Sequence, residues 1–269
     1  MPLWLVSLSH GAEPIVAPSQ NSPLDPQLGA GLLVPWDEAG LLPARAESPA
    51  IGPDLLALGA HGEVAFYSPA RAEVVVVGEG RFPVAAADDL LFTASGSLLV
   101  LDGSARTLSA VRADGTLIAR RALPGIVPPG GSLGLDGSVV CSVDVFGGCH
   151  PIARVTTGGE LADYVGPSLR PPTRVVRRVG DALLVDGRRV ATIAHRGGGR
   201  LVGDWLLVED MDEGTVARRA VSLRDGTVVE LPVSGRLYAP SRDVACSPEG
   251  TLGWMDPRSD GLHLVQVAR

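Results

Sequence analysis

The sequence predicts an all-β fold, and three observations carry that expectation. Short apolar runs alternate with tight-turn signals along most of the 269-residue chain. Asp-Gly occurs six times, at Asp102, Asp114, Asp136, Asp186, Asp225 and Asp260, and this dipeptide suits a two-residue hairpin turn in which both central residues need positive φ. Helical signals are weak: no window of about eleven residues keeps i, i+3, i+4, i+7 apolar spacing free of Gly and Pro.

The strands can be placed in order. Thr107 to Arg112 leads into the turn at Asp114, and Thr116 to Arg120 leads out. Pro151 to Val155, the turn at Gly158-Gly159 and Glu160 to Val165 repeat the plan, as do Val216 to Leu223, the turn at Asp225 and Thr227 to Leu231. The turns at 114 and 158 lie 44 residues apart, and a hairpin near Ser68 to Ala72 precedes the first by a similar distance. Such a period is expected of four-stranded propeller blades. The longer gap before Asp225 holds Thr173 to Ile193, read as a shortened blade with strands at Val175-Val176, Leu183 to Val185 and Val190 to Ile193. The strands show apolar runs as well as alternation, which suits sheets covered on both faces. Leu3 to Ser9 and Leu262 to Val267 are both strand-like, and their pairing would close the ring and remove a free edge. The expectation is one β-propeller domain over residues 1–269 with about six blades, five or seven being the alternatives. Residues 12–60 are Pro-rich and irregular, with one short helix near Pro35 to Leu42.

At the C-terminus, Asp243-Val-Ala-Cys-Ser-Pro-Glu-Gly250 is followed by Thr251-Leu-Gly-Trp-Met255, then Arg258-Ser-Asp-Gly261 and Leu262 to Val267. This resembles the repeat of TolB-type, WD40-like propellers, in which a Ser-Pro-Asp/Glu-Gly turn precedes an apolar strand, a charged Asp-Gly turn and a closing strand. Ser132 to Gly137 and Phe92 to Gly96 look like degenerate copies without the Ser-Pro pair. The resemblance implies a fold rather than an activity.

Composition narrows the function classes. Hydrophobic residues make up 45% and charged residues 20% of the chain, as in an ordinary globular protein. All 23 basic residues are Arg, and Asn occurs once, at Asn21; this bias fits a GC-rich bacterial genome. The net charge of −7 and 4% aromatics argue against nucleic acid, whose phosphates need clustered cations. Arg177-Arg178, Arg188-Arg189 and Arg218-Arg219 read as strand or hairpin decoration. No membrane span is expected, and the chain reads as cytoplasmic, or periplasmic or secreted if a signal peptide has been removed. Cys141 and Cys149 flank a hairpin and read first as reduced; a bridge between them would argue for an oxidising compartment.

No motif commits the chain to chemistry, and no cofactor is expected. Gly130-Gly-Ser132-Leu-Gly134 fits G-x-S-x-G, but a nucleophile elbow needs a helix after the serine and an Asp-Gly turn follows instead. Asp210-Met-Asp212-Glu-Gly214 alternates carboxylates and is the one candidate metal site, short of the ligands a calcium loop needs. Cys149-His150 places its two side chains on opposite strand faces. His195-Arg-Gly-Gly-Gly-Arg200 reads as a cationic blade connection able to cradle an anion. Trp4, Trp205 and Trp254 read as core, and Trp36 as a contact for a partner. The expected function is a non-catalytic binding or scaffolding propeller that engages a protein. The alternatives are a propeller enzyme of lactonase, lyase or hydrolase type with a carboxylate-lined channel, and a carbohydrate-binding propeller.

Overall fold

A computed structural model describes residues 31–44, 49–123, 132–136, 138–143, 149–166, 176–193, 197–212, 215–233 and 235–267. Their strands form six antiparallel sheets. β1 (Leu32–Val34) and helix α1 (Trp36–Ala39) come first. Blade 1 is β2 (Leu55–Leu58), β3 (Val64–Ser68), β4 (Glu73–Val76) and β5 (Gly80–Pro83). Blade 2 is β6 (Asp89–Phe92), β7 (Leu98–Asp102), β8 (Thr107–Val111) and β9 (Leu117–Ala122). Blade 3 is β10 (Ser132–Asp136), β11 (Val139–Val143), β12 (Cys149–Val155) and β13 (Leu161–Ala162). Blade 4 has the three strands β14 (Val176–Val179), β15 (Ala182–Val185) and β16 (Arg188–Thr192). Blade 5 is β17 (Gly198–Val202), β18 (Trp205–Asp212), β19 (Thr215–Ser222) and β20 (Val228–Leu231). Blade 6 is β21 (Val244–Cys246), β22 (Leu252–Arg258) and β23 (Gly261–Val267), completed by β1.

The first strand of each blade is innermost. β2 packs beside β6 and β21, β6 beside β10, and β17 beside β14 and β21, which is the radial order of a propeller. Apolar clusters fill the blade interfaces. One joins blades 1 and 2 around Phe92 and Tyr67, one blades 2 and 3 around Leu101 and Val140, and one blades 4 and 5 around Leu183 and Leu206. Trp205 and Trp254 meet between blades 5 and 6, and Phe66 and Met255 between blades 6 and 1. Blade 1 is thus apolar on both faces: Leu55 and Ala57 serve one neighbour, Leu56 and Leu58 the other. That is why the strands read as runs.

The ring is closed twice between blades 6 and 1. At its inner edge, Leu55 and Arg242 form a parallel bridge. At its outer edge, β1 pairs antiparallel with β23, Leu33 opposite His263 and Val34 opposite Leu262. The closing segment is therefore Leu32–Val34. Leu3 to Ser9, from which closure was expected, lies outside the described residues, and around residues 262–264 β23 already has β1 on one side and β22 on the other. The expected irregular segment is also partly regular: it holds β1, the short helix α1 within Pro35 to Leu42 as read from the sequence, and a Leu42–Ile51 bridge.

The turns correct one expectation and extend another. Of the Asp-Gly pairs, Asp186-Gly187 has both residues at positive φ, 53° and 81°. At Asp114-Gly115 and Asp225-Gly226 only the glycine does, because these hairpins are longer. A five-residue turn recurs at 93–97, 112–116, 156–160 and 247–251. In each, the first amide bonds the fifth carbonyl, and a glycine amide at the fourth position bonds the first carbonyl. The glycine carries φ between 78° and 91°, which side chains rarely tolerate. The Ser247-Pro-Glu-Gly250 turn and its degenerate copy at Thr93 to Gly96 thus share one geometry. Thr93, Thr156 and Ser247 also accept a bond from the fifth amide through their hydroxyls.

Cys141 is disulfide-bonded, which corrects its reading as a reduced cysteine, and Cys246 keeps its thiol, which donates to the Ser247 carbonyl. The intact chain should therefore bind one equivalent of an alkylating thiol reagent before reduction and three after. Intact-mass measurement in denaturant checks this.

Candidate functional site

The inner strands all enter from one rim of the ring, and the connections between blades gather there. Three stretches of described residues come together above blades 5, 6 and 1: the start of β17, residues 235–243, and residues 35–44 with 49–54. They build a charged layer around Asp243 and Asp89 and an apolar surface around Trp36.

Asp243 is the hub of the charged layer. It lies just before β21 and is 1% exposed. Arg218, on β19 of blade 5, donates to both its oxygens, one bond at 2.9 Å. Arg236, from the connection between blades 5 and 6, donates to it at 2.6 Å. Burial acts to raise the Asp243 carboxyl, but the two guanidiniums outweigh it and hold the group below its ordinary value of 3.8. Burial likewise opposes the Arg218 charge, yet Asp243 and Glu209 raise it above its ordinary value. Glu209 meets Arg218 Nε at 3.0 Å. Arg236 also reaches Asp256 at 3.1 Å and the Met255 carbonyl at 3.2 Å, and Asp256 holds Arg258 at 2.6 Å.

A second knot ties three blades. Asp89, at the start of β6, accepts from the Leu133 amide of blade 3 at 2.6 Å and pairs with Arg242 of blade 6 at 2.7 Å. Burial raises its pKa, against the pull of Arg242 and the backbone amides. Next to it, Asp54 accepts from the Ser241 amide and hydroxyl at 2.6 and 2.7 Å.

Arg200 differs from these arginines. It sits on β17, the innermost strand of blade 5, and makes no hydrogen bond or ion pair among the described residues. Its side chain is exposed to water. The surrounding protein nonetheless lowers its pKa, through burial first, with Arg218 and Arg242 acting in the same direction and Asp243 and Glu209 opposing them. Of His195 to Arg200, expected as a blade connection, Gly198 to Arg200 belong to strand β17, and residues 195 and 196 lie outside the described residues.

The apolar surface surrounds Trp36. Its ring lies 6.3 Å from that of Tyr238, and its Nε1 donates to the Arg258 carbonyl at 2.9 Å. Tyr238 donates to the Pro53 carbonyl at 3.0 Å, and its ring fills the space a side chain at Gly52 would need. Burial, and secondarily the nearby Asp54, push its hydroxyl pKa up. Leu237, beside Tyr238, is 42% exposed; Ile51, beside Gly52, is 43% exposed; and Leu42, the bridge partner of Ile51, is 49% exposed. Trp36 is half-buried, the anchor of this patch rather than its most exposed member.

The other candidates lie elsewhere. Asp210 and Asp212 share β18, and Asp210 pairs with Arg219 at 3.0 Å. Among the described residues no group of three or more His, Cys, Asp or Glu is placed to hold a metal ion. Ser132 opens strand β10, not a helix. Trp205 and Trp254 are core, with Trp205 Nε1 donating to Gly250 at 3.0 Å; Trp4 lies outside the described residues. Sequence reasoning missed the charged layer. Arg218 was read as decoration, although it shares a strand face with the buried Ala220 and Ser222, a placement its alternation could have signalled.

No family model matches the chain, and no curated protein sequence does. Solved structures overlap it loosely. A streptogramin B lyase structure aligns over 83% of this chain and 96% of its own, at 12% identity and a TM-score of 0.40. BamB from Moraxella catarrhalis aligns over 90% and 97%, at 9% identity and 0.36. The C-terminal WD40 domain of Sif2 aligns over 81% and 70%, at 10% identity and 0.36. The propeller assignment rests on the sheet order and the closure described above. No helix among the described residues is long and apolar enough to cross a membrane.

Proposed function

We propose that the protein is a non-catalytic binding propeller whose protein partner docks on the rim above blades 5, 6 and 1. The observation that carries this reading is the cluster of exposed Leu42, Ile51 and Leu237 around the fixed Trp36–Tyr238 pair. An apolar centre with charged groups beside it is the anatomy of a protein interface. The segments that present it are pinned by Trp36, Tyr238 and Asp54, so little ordering cost remains on docking. Two carboxylates of the charged layer favour binding over catalysis: Asp243 and Asp256 have their oxygens engaged by arginine, and the guanidiniums hold Asp243 below its ordinary pKa. The Cys141 disulfide favours an oxidising compartment over the cytoplasm.

The test is affinity capture from the native host with the intact chain and with Leu237→Asp and Ile51→Asp. One protein should be recovered reproducibly with the parent chain and lost with both variants, while their Tm stays within a few degrees. Retention of the same protein by both variants would move the interface elsewhere.

A further inference from the structure

We infer that Arg200, on the innermost strand of blade 5, is an anion subsite and takes a carboxylate. The inference deepens the binding reading above but rests on a separate set of residues. The neighbouring guanidiniums have used the local carboxylates. Both Asp243 oxygens serve Arg218, and one of them Arg236 as well. Glu209 holds Arg218 and Asp89 holds Arg242. Asp54 accepts one bond from Ser241 at each of its oxygens. Arg200 alone in this layer keeps its donors unassigned among the described residues.

There is also room for a ligand beside it. Gly198 precedes Arg200 by two residues on β17, so the two positions share one face of the strand. A side chain at Gly198 would meet nothing within 4 Å. The next glycine on the opposite face is different: a Cβ at Gly199 would come within 2.7 Å of Leu183. The open space therefore lies on the Arg200 side. A planar guanidinium with free donors, exposed and facing such a space, matches the two oxygens of a carboxylate bidentately. The carboxylate can come from an acidic side chain of a docked protein or from a free organic acid, and the chemistry of recognition is the same.

The experiment follows the Arg200 Nε–H resonance of the ¹⁵N-labelled full chain, assigned by its loss in Arg200→Lys. The titrants are succinate and a short acetylated, amidated peptide carrying one glutamate between leucines. Saturable shifts with succinate identify a site that accepts a free acid. Saturation with the peptide alone identifies a protein-borne carboxylate. In either case Arg200→Ala, followed through the Gly198 and Leu201 backbone amides that it shares with the parent chain, should weaken the effective titrant at least tenfold, Arg224→Ala should leave it unchanged, and added salt should weaken binding. Arg200 makes no bond that folding needs, and Tm of Arg200→Ala and Arg200→Gln checks that both remain folded. Absence of saturation with both titrants, or equal binding by Arg200→Ala, overturns the inference. That result leaves the capture experiment with Leu237→Asp and Ile51→Asp untouched, so the two proposals fail separately.

Discussion

Asp243→Asn should destabilise the protein by about 3 to 5 kcal/mol, the cost of stripping a buried charge from its partners. The amide keeps the shape but leaves Arg218 and Arg236 facing each other without the anion that both require. Chemical denaturation should show a lower midpoint at unchanged m-value, with Tm about 10 °C lower. The pH dependence should change with it. The folded-state pKa of Asp243 lies below its ordinary value, so its stabilisation is fully present above that value and is lost as pH falls through the folded pKa. The variant should therefore have a flatter acid limb. Asp89 acts with the opposite sign. Its folded pKa is raised, so its ionisation costs stability as pH rises towards that pKa.

Val34→Asp should be comparably severe, for a reason of architecture. Val34 is buried between blades 6 and 1, with Leu262 opposite it on β23 and Ala39, Leu56 and Met255 in the same cluster. A carboxylate there either stays buried without a partner, at about 3 kcal/mol or more, or drags β1 off the blade. The second outcome uncovers the edge of β23 and frees α1, on which Trp36 stands. Loss of partner capture should then accompany the fall in Tm. Leu33→Asp, at the neighbouring exposed position, should change stability far less.

Much of the fold was legible because local chemistry dictates it. Gly96, Gly115 and Gly159 mark turns that need a left-handed residue. The shortened blade at Thr173 to Ile193 was readable from three apolar runs too close together to hold a fourth strand. Trp205 and Trp254 declared themselves as core by their apolar neighbours. The closing strand was not legible: Leu32–Val34 has three residues and lies among prolines, and only its pairing with β23 makes it a strand. The turn type at Asp114 and Asp225 was misjudged because Asp-Gly serves longer hairpins as well as two-residue ones. The charged layer was invisible for a different reason. Asp89 and Arg242 belong to blades 2 and 6, and Asp243 meets Arg218 only across the blade 5–6 interface. Such pairs are products of ring closure, and sequence spacing carries no trace of them. Trp36 was read as a partner contact and is half-buried; the exposed apolar residues are Leu42, Ile51 and Leu237, which single-sequence reading cannot distinguish from ordinary loop residues.

Closure of the ring by Leu32–Val34 can be measured directly with Leu33→Cys combined with His263→Cys, two positions directly opposite each other in the β1–β23 ladder. Directly opposed strand positions bring Cβ atoms about 4.5 to 5.5 Å apart, so small backbone shifts suffice for a disulfide. Mild oxidation followed by peptide mass mapping should recover a 33–263 cross-link in the monomer, with Tm raised over the reduced form. Absence of that cross-link, or its appearance only between molecules, would contradict a ring closed through β1.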